Sequence, residues 1–170
     1  MLYPFHGRRL SRALVIETIY NAELMNLDLD ETFENISKMR KSYFDEKVKV
    51  IKKENIRQKF IKDLENWDEI LNFSRTILNS YKQNANKIEK ILKENIVGYW
   101  DYEKIFLLEK SILKTALSEF IALDTPYKVI ISEALNISNF FVSNEAIKLV
   151  NAILDKIFRK LMNGKENSIY

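Results

Sequence analysis

The sequence predicts an all-α protein of about seven helices in two groups that could each make a small bundle, and three observations carry the all-α class. Only 3 Gly and 2 Pro occur in 170 residues, at positions 4, 7, 98, 126 and 164, so long tracts lack the residues that break helices or make β-turns. Hydrophobic residues make up 46% and charged residues 30%, which supports a buried core and excludes general disorder. Apolar residues recur every three or four positions, the period of a helix with one buried face. At ~100–200 residues per domain, the length allows one domain with two lobes.

Residues 8–26 carry Ala13, Ile16, Tyr20 and Leu24 at helical spacing, with arginines at the start of the stripe. Asp28 or Asp30 can cap a second helix through Phe33, Ile36 and Met39, and the periodicity weakens over 40–55. From about 56 to 82, Phe60, Leu64, Trp67, Leu71, Ser74, Leu78 and Tyr81 form the seam of one long helix. A shorter helix over 84–96 carries Ile88, Ile91, Leu92 and Ile96 and ends at Gly98, which suits a carboxy-terminal cap. The two bundles divide near 82–84, as one domain with halves over about 8–82 and 84–162.

After Trp100, Asp101 can cap a helix to about 122, with Ile105, Leu108, Ile112, Ala116 and Phe120 inward. Asp124-Thr125-Pro126 punctuates the chain, Pro suiting the first helical position of a helix that runs to about 140. Ser143 caps the last helix, which carries Ile147, Val150, Leu154, Ile157 and Leu161 until Asn163-Gly164 stops it, leaving a frayed tail.

Charge is modest in sum, +3, and uneven along the chain. Arg8, Arg9 and Arg12 precede every acidic residue; Glu17, Glu23, Asp28, Asp30, Glu31 and Glu34 then follow with no Lys or Arg between them. Positive charge at a helix start opposes the macrodipole at ~0.3–1 kcal/mol per exposed charge, so three arginines there either invite an anionic partner or form a solvated basic end. Positions 38–62 hold ten Lys or Arg against three acids, which reads as a solvated lysine-rich surface.

Several chemistries are absent from the sequence. With no cysteine there is no disulfide, thiolate nucleophile or Cys-based metal site. The single histidine, His6, lies in an amino-terminal arm without an evident catalytic partner. There is no phosphate-cradling glycine loop, G-x-S-x-G elbow or H-E-x-x-H, so no cofactor and no enzyme activity are expected. Asp28 with Asp30, and Asp68 with Glu69, read as caps and solvated faces and not as metal ligands. No run approaches the ~18 apolar residues of a membrane span and the start lacks a signal peptide's apolar stretch, so a cytoplasmic protein is expected. What remains is a helical body with an arginine cluster, suited to a polyanion or a protein; guanidinium forks bind phosphate and aromatic rings stack unpaired bases.

Three blocks carry a family resemblance. The first is Arg8-Arg9-Leu10-Ser11-Arg12-Ala13 followed by Ile19-Tyr20. The second runs from Trp100 through Glu109 to Ile112-Leu113-Lys114-Thr115-Ala116 and Glu119. The third is Asp124-Thr125-Pro126-Tyr127-Lys128-Val129-Ile130-Ile131-Ser132-Glu133-Ala134, continuing to Lys148-Leu149-Val150-Asn151-Ala152-Ile153-Leu154-Asp155. In order and spacing these resemble the NusB antitermination factors from first helix to last. The departures are Leu149 for an aromatic, Lys104 and Lys114 for arginine, Ser132 for asparagine, and a longer 38–66 segment that matches nothing in the family pattern.

The resemblance implies two small helical bundles without enzymatic activity. It implies binding to the ribosomal protein NusE, recognition of single-stranded boxA RNA, and action with RNA polymerase to suppress premature termination, chiefly on ribosomal RNA operons. By position, Arg8, Arg9, Arg12, Glu145, Lys148, Leu149 and Asn151 would face RNA, while Tyr20 and Glu109 would face the partner. Each has an ordinary alternative role: Tyr20 in the core, Glu109 as a solvated helix acid, Asn151 as an internal helix contact. Two other readings compete: a helical interaction module without RNA binding, and a stand-alone relative of the helical domain of ribosomal RNA cytosine methyltransferases. A homodimer is left open.

Overall fold

The computed structural model describes residues 4–98 and 101–166, so Trp100 and the last four residues lie outside it. The described residues form seven α-helices and one short 3₁₀ turn, with no strand: α1 (Gly7–Met25), α2 (Leu29–Val50), α3 (Glu54–Glu65), α4 (Trp67–Asn95), the turn Tyr102–Lys104, α5 (Leu107–Ala122), α6 (Tyr127–Phe141) and α7 (Asn144–Glu166). They fall into two compact units whose boundary, between Leu78 and Asn79, lies inside α4.

In the first unit α1 packs on α2, and α2 on α3. Leu10, Ala13, Leu14, Val15, Ile16 and Ile19 are fully or almost fully buried, so α1 is covered on more than one face. Burial of each large aliphatic side chain stabilises by ~1.5–3 kcal/mol. The expected stripe fails at its carboxy-terminal end, where Leu24 is exposed, because the chain turns away through Asn26 in the left-handed region. Small serines let α1 and α4 approach closely: Ser11 Oγ donates to the carbonyl of Ile70 at 3.0 Å, and Ser74 Oγ to that of Ser11 at 3.1 Å. Asp28 caps α2 by accepting from the Glu31 N–H at 2.9 Å. The weakly periodic 40–55 stretch is mostly the continuation of α2 to Val50, a two-sided helix whose one deep anchor there is Phe44.

The expected single helix over 56–82 and its neighbour over 84–96 are divided differently. The chain breaks at Asn66, whose Nδ2 donates to the Lys62 carbonyl at 2.7 Å, and α4 then runs unbroken to Asn95. Phe60 and Trp67 keep helical spacing across the break, so periodicity could not reveal it.

In the second unit α5, α6 and α7 pack pairwise on one another. Residues 111–119 of α5 are buried all round, which marks it as the central helix of this unit. Ser80 Oγ on α4 donates to the Ser118 carbonyl at 2.9 Å. Asp101 caps the 3₁₀ turn and not α5, which starts after Phe106 without a side-chain cap. Pro126 occupies the N-cap of α6, one residue earlier than expected. Ser143 does cap α7, accepting from the Ala146 N–H at 3.3 Å. The helix continues through Asn163-Gly164 to Glu166, past the expected stop.

Candidate functional site

The amino-terminal arm is anchored where the arginines begin. Gly7 adopts φ +55, a conformation that disfavours other residues, and its N–H donates to Asp63 Oδ1 at 2.9 Å. His6 Nδ1 lies 2.5 Å from the other oxygen of Asp63, and its ring meets Phe60 edge-on at 4.9 Å. His6 is therefore a structural clasp.

Arg8 and Arg12, four residues apart, share one face of α1. Their guanidinium carbons lie 5.2 and 5.3 Å from the centroid of the Phe73 ring on α4. They differ in access: Arg8 is exposed, whereas Arg12 is only 7% exposed. Arg9 sits about 100° further round the helix and is half-buried. Arg8 has no hydrogen bond or ion pair among the described residues, so its donors face solvent. Tyr20 is half-buried further along α1.

The second unit brings three candidates together. A cavity of about 360 Å³ is lined by Glu109, Glu145 and Leu149 with Lys104, Ile105 and Phe106 among its other walls. Glu109, in the first turn of α5, is 6% exposed and has no polar partner among the described residues. It is not the solvated helix acid that the sequence allowed. Leu149 is 9% exposed, a wall of the cavity more than a surface side chain. Glu145 is exposed in the first turn of α7; its own backbone N–H foremost, then the Ser143 hydroxyl and the Lys148 charge, hold its carboxyl below the ordinary range. Lys148 and Asn151 are exposed on α7 outside the cavity, so Asn151 is not an internal helix contact.

Sequence reasoning missed Phe106, which is 76% exposed at the cavity rim. Its signal was available: it lies just ahead of α5 and off the Leu108, Ile112, Ala116 stripe. Of the two unusual lysines, Lys104 is exposed and 3.6 Å from Asp101, whereas Lys114 is buried beside Glu89, also at 3.6 Å. Among the described residues no cluster of His, Asp or Glu could hold a metal, and no helix is long and apolar enough to cross a membrane.

One unit thus carries an exposed guanidinium mounted on an aromatic ring, and the other a cavity bordered by an unpartnered carboxylate, on an all-helical fold. The NusB family model matches residues 9–159, and the chain belongs to the NusB family. The transcription antitermination protein NusB of Buchnera aphidicola subsp. Cinara cedri is 29% identical over 160 residues, covering 93% of this chain and 94% of the relative. The NusB proteins of Picosynechococcus sp. and Thermus thermophilus are 28% and 25% identical over 55% and 57% of this chain. Those matches span only 43% and 64% of the relatives' own lengths. Among solved structures, T. maritima NusB shares the fold with a TM-score of 0.62 at 20% identity, covering 89% of each chain. A crystal structure of antitermination factors NusB and NusE in complex with dsRNA matches with a TM-score of 0.65 at 14% identity, covering 90% of this chain and 96% of that one.

Proposed function

We propose that this NusB-family protein binds boxA-type single-stranded RNA together with NusE, and that the pair acts on RNA polymerase to suppress premature termination, chiefly on ribosomal RNA operons. The observation that carries the reading is Arg8: a guanidinium held at a helix start where its charge opposes the macrodipole, with no carboxylate upon it among the described residues. Phosphate satisfies both the charge and the donor fork. The similarity in fold to a NusB that has been crystallised with NusE and RNA supports the choice of partners.

In this reading Arg8 is the main phosphate contact with Arg9 beside it, Arg12 is buried behind them against Phe73 and positions the pair, and Glu145, Lys148, Leu149 and Asn151 serve RNA from the second unit. Glu109, and with it Tyr20, serves NusE: a buried carboxylate at the end of a partly apolar cavity suits a cationic side chain with an apolar stem. The test is the affinity for boxA RNA, with and without NusE, over a salt series. Arg8→Ala should reduce the slope of log K against log salt by ~0.7. An unchanged slope removes the phosphate contact; wild-type protein that binds NusE and no RNA favours the interaction-module reading.

A further inference from the structure

Beside Arg8 the first unit opens a second cleft, of about 590 Å³, between the start of α1, the end of α3 and the first turns of α4. That is within the ~300–1,000 Å³ of pockets that hold small ligands. Its walls differ in chemistry: Arg8 stands at the rim, the Phe73 ring and Ile70 supply apolar surface, Asn66 an amide, Glu69 an exposed carboxylate and Thr76 an exposed hydroxyl. Asp63 at the back is already engaged by Gly7 and His6.

We infer that this cleft is a nucleotide subsite that takes one unpaired, amino-bearing RNA base, guanine foremost, with its phosphate on Arg8. The inference rests on the RNA reading above and adds to it a base pocket and a base preference. Three features point the same way. Phe73 fixes Arg8 by a cation–π contact, so the phosphate donor is held at the mouth and not left to wander. The partly exposed Phe73 ring gives a base an edge to pack on beside the two guanidinium groups it already carries, as aromatic side chains do for unpaired bases. Glu69 has no ion pair among the described residues and only accepts hydrogen bonds, so it suits the adjacent N1–H and N2–H of guanine and offers less to uracil, which has no amino group. Arg8 offsets the charge that this carboxylate brings close to a phosphate.

The experiment compares two fluorescently labelled 12-nucleotide RNAs, oligouridine and oligouridine with one central guanine, binding to the full chain by anisotropy over a salt series. Wild type should prefer the guanine-containing strand by roughly tenfold. Thr76→Trp, a change at an exposed helix position that fills the cleft, should abolish the preference and leave the salt slope unaltered. Phe73→Leu should weaken binding of the guanine strand about fivefold or more. Arg8→Ala should lower the slope by ~0.7 and retain the preference. Wild-type affinity and preference in Thr76→Trp, or no preference in wild type, would overturn the cleft while leaving the RNA reading intact. Absence of binding to either strand and to boxA RNA, with NusE present, would overturn both.

Discussion

Asp63 on α3 accepts the backbone N–H of Gly7, 56 residues earlier, at 2.9 Å, and thereby fixes the start of α1. The carboxylate is buried and lies against His6 through its second oxygen. It performs the task of an N-cap from a distance, since His6 at the cap position makes no side-chain cap of its own. Asp63→Ala should therefore lower the unfolding free energy by about 2 kcal/mol, more than a local cap alone would give, because the lost hydrogen bond is charge-assisted. Urea denaturation measures this, and a loss below ~0.5 kcal/mol, the usual range for an unconstrained surface site, would contradict the role.

The paired arginines make opposite predictions for stability. Arg12 is buried against Phe73, so Arg12→Ala should cost about 1–2 kcal/mol in lost packing and cation–π contact. Arg8 is exposed at a helix start, where its charge opposes the macrodipole, so Arg8→Ala should be neutral within about 0.5 kcal/mol. Thermal melts of the two variants at matched ionic strength separate them. Equal losses would mean that Arg8 is a structural residue first and would weaken its assignment to RNA.

Much of the fold was legible because helical periodicity survives in sequence: α1, α5, α6 and α7 lie where their stripes place them. The break at Asn66 was not legible, since Phe60 and Trp67 stay in phase across it. Nor was the purpose of the 38–66 segment, which lies within the span that the family model matches. Its residues Phe44, Phe60 and Asp63 meet His6 and Gly7 only in three dimensions, with Phe44 and Phe60 rings 4.6 Å apart. The arginines were visible as a cluster, but Phe73, whose ring both Arg8 and Arg12 meet, lies in another helix at no telling spacing. Glu109 was named from family resemblance alone; its burial without a partner is a property of the cavity.

A pH dependence follows from Glu89. Burial by itself raises its pKa, but the hydrogen bond from Tyr102 Oη at 2.7 Å and the charges of Lys114 and Lys93 together outweigh that and hold it below the ordinary carboxylate value. A carboxylate with a depressed folded pKa contributes stability that is present above the unfolded value, about 4.5, and is lost as pH falls through the folded one. Glu89→Gln should cost about 1 kcal/mol at pH 7, a figure kept low because the side chain is partly open to solvent. The gap between variant and wild type should narrow below pH ~4.5. Denaturation curves from pH 7 to pH 3 test this; a gap that stays constant over that range would show that Glu89 acts by shape and not by charge.

Glu109 should behave in the reverse sense to an ordinary buried acid. With no polar partner among the described residues, its removal leaves no orphaned donor, so Glu109→Gln should change stability by less than about 0.5 kcal/mol. If the carboxylate receives a cation from NusE, the same substitution should weaken that complex by about tenfold, the effect of losing a charge-assisted hydrogen bond at an interface. Calorimetric titration with NusE gives the second number and thermal melting the first. A destabilised variant with unchanged NusE affinity would return Glu109 to the core.

Leu149 tests whether the missing aromatic matters. It is almost buried, but it borders the 360 Å³ cavity, so a larger side chain has open space on one side and need not overpack the α5–α7 contact. Leu149→Phe should therefore keep stability within about 1.5 kcal/mol of wild type and present a ring edge near Phe106 at the cavity mouth. Should the second unit hold an unpaired base there, the added stacking would raise boxA affinity by about fivefold or more, with no change in salt slope because no charge is altered. An affinity unchanged in a stably folded Leu149→Phe protein would mean that RNA does not reach this cavity, and would leave its carboxylate and exposed Phe106 to the protein partner.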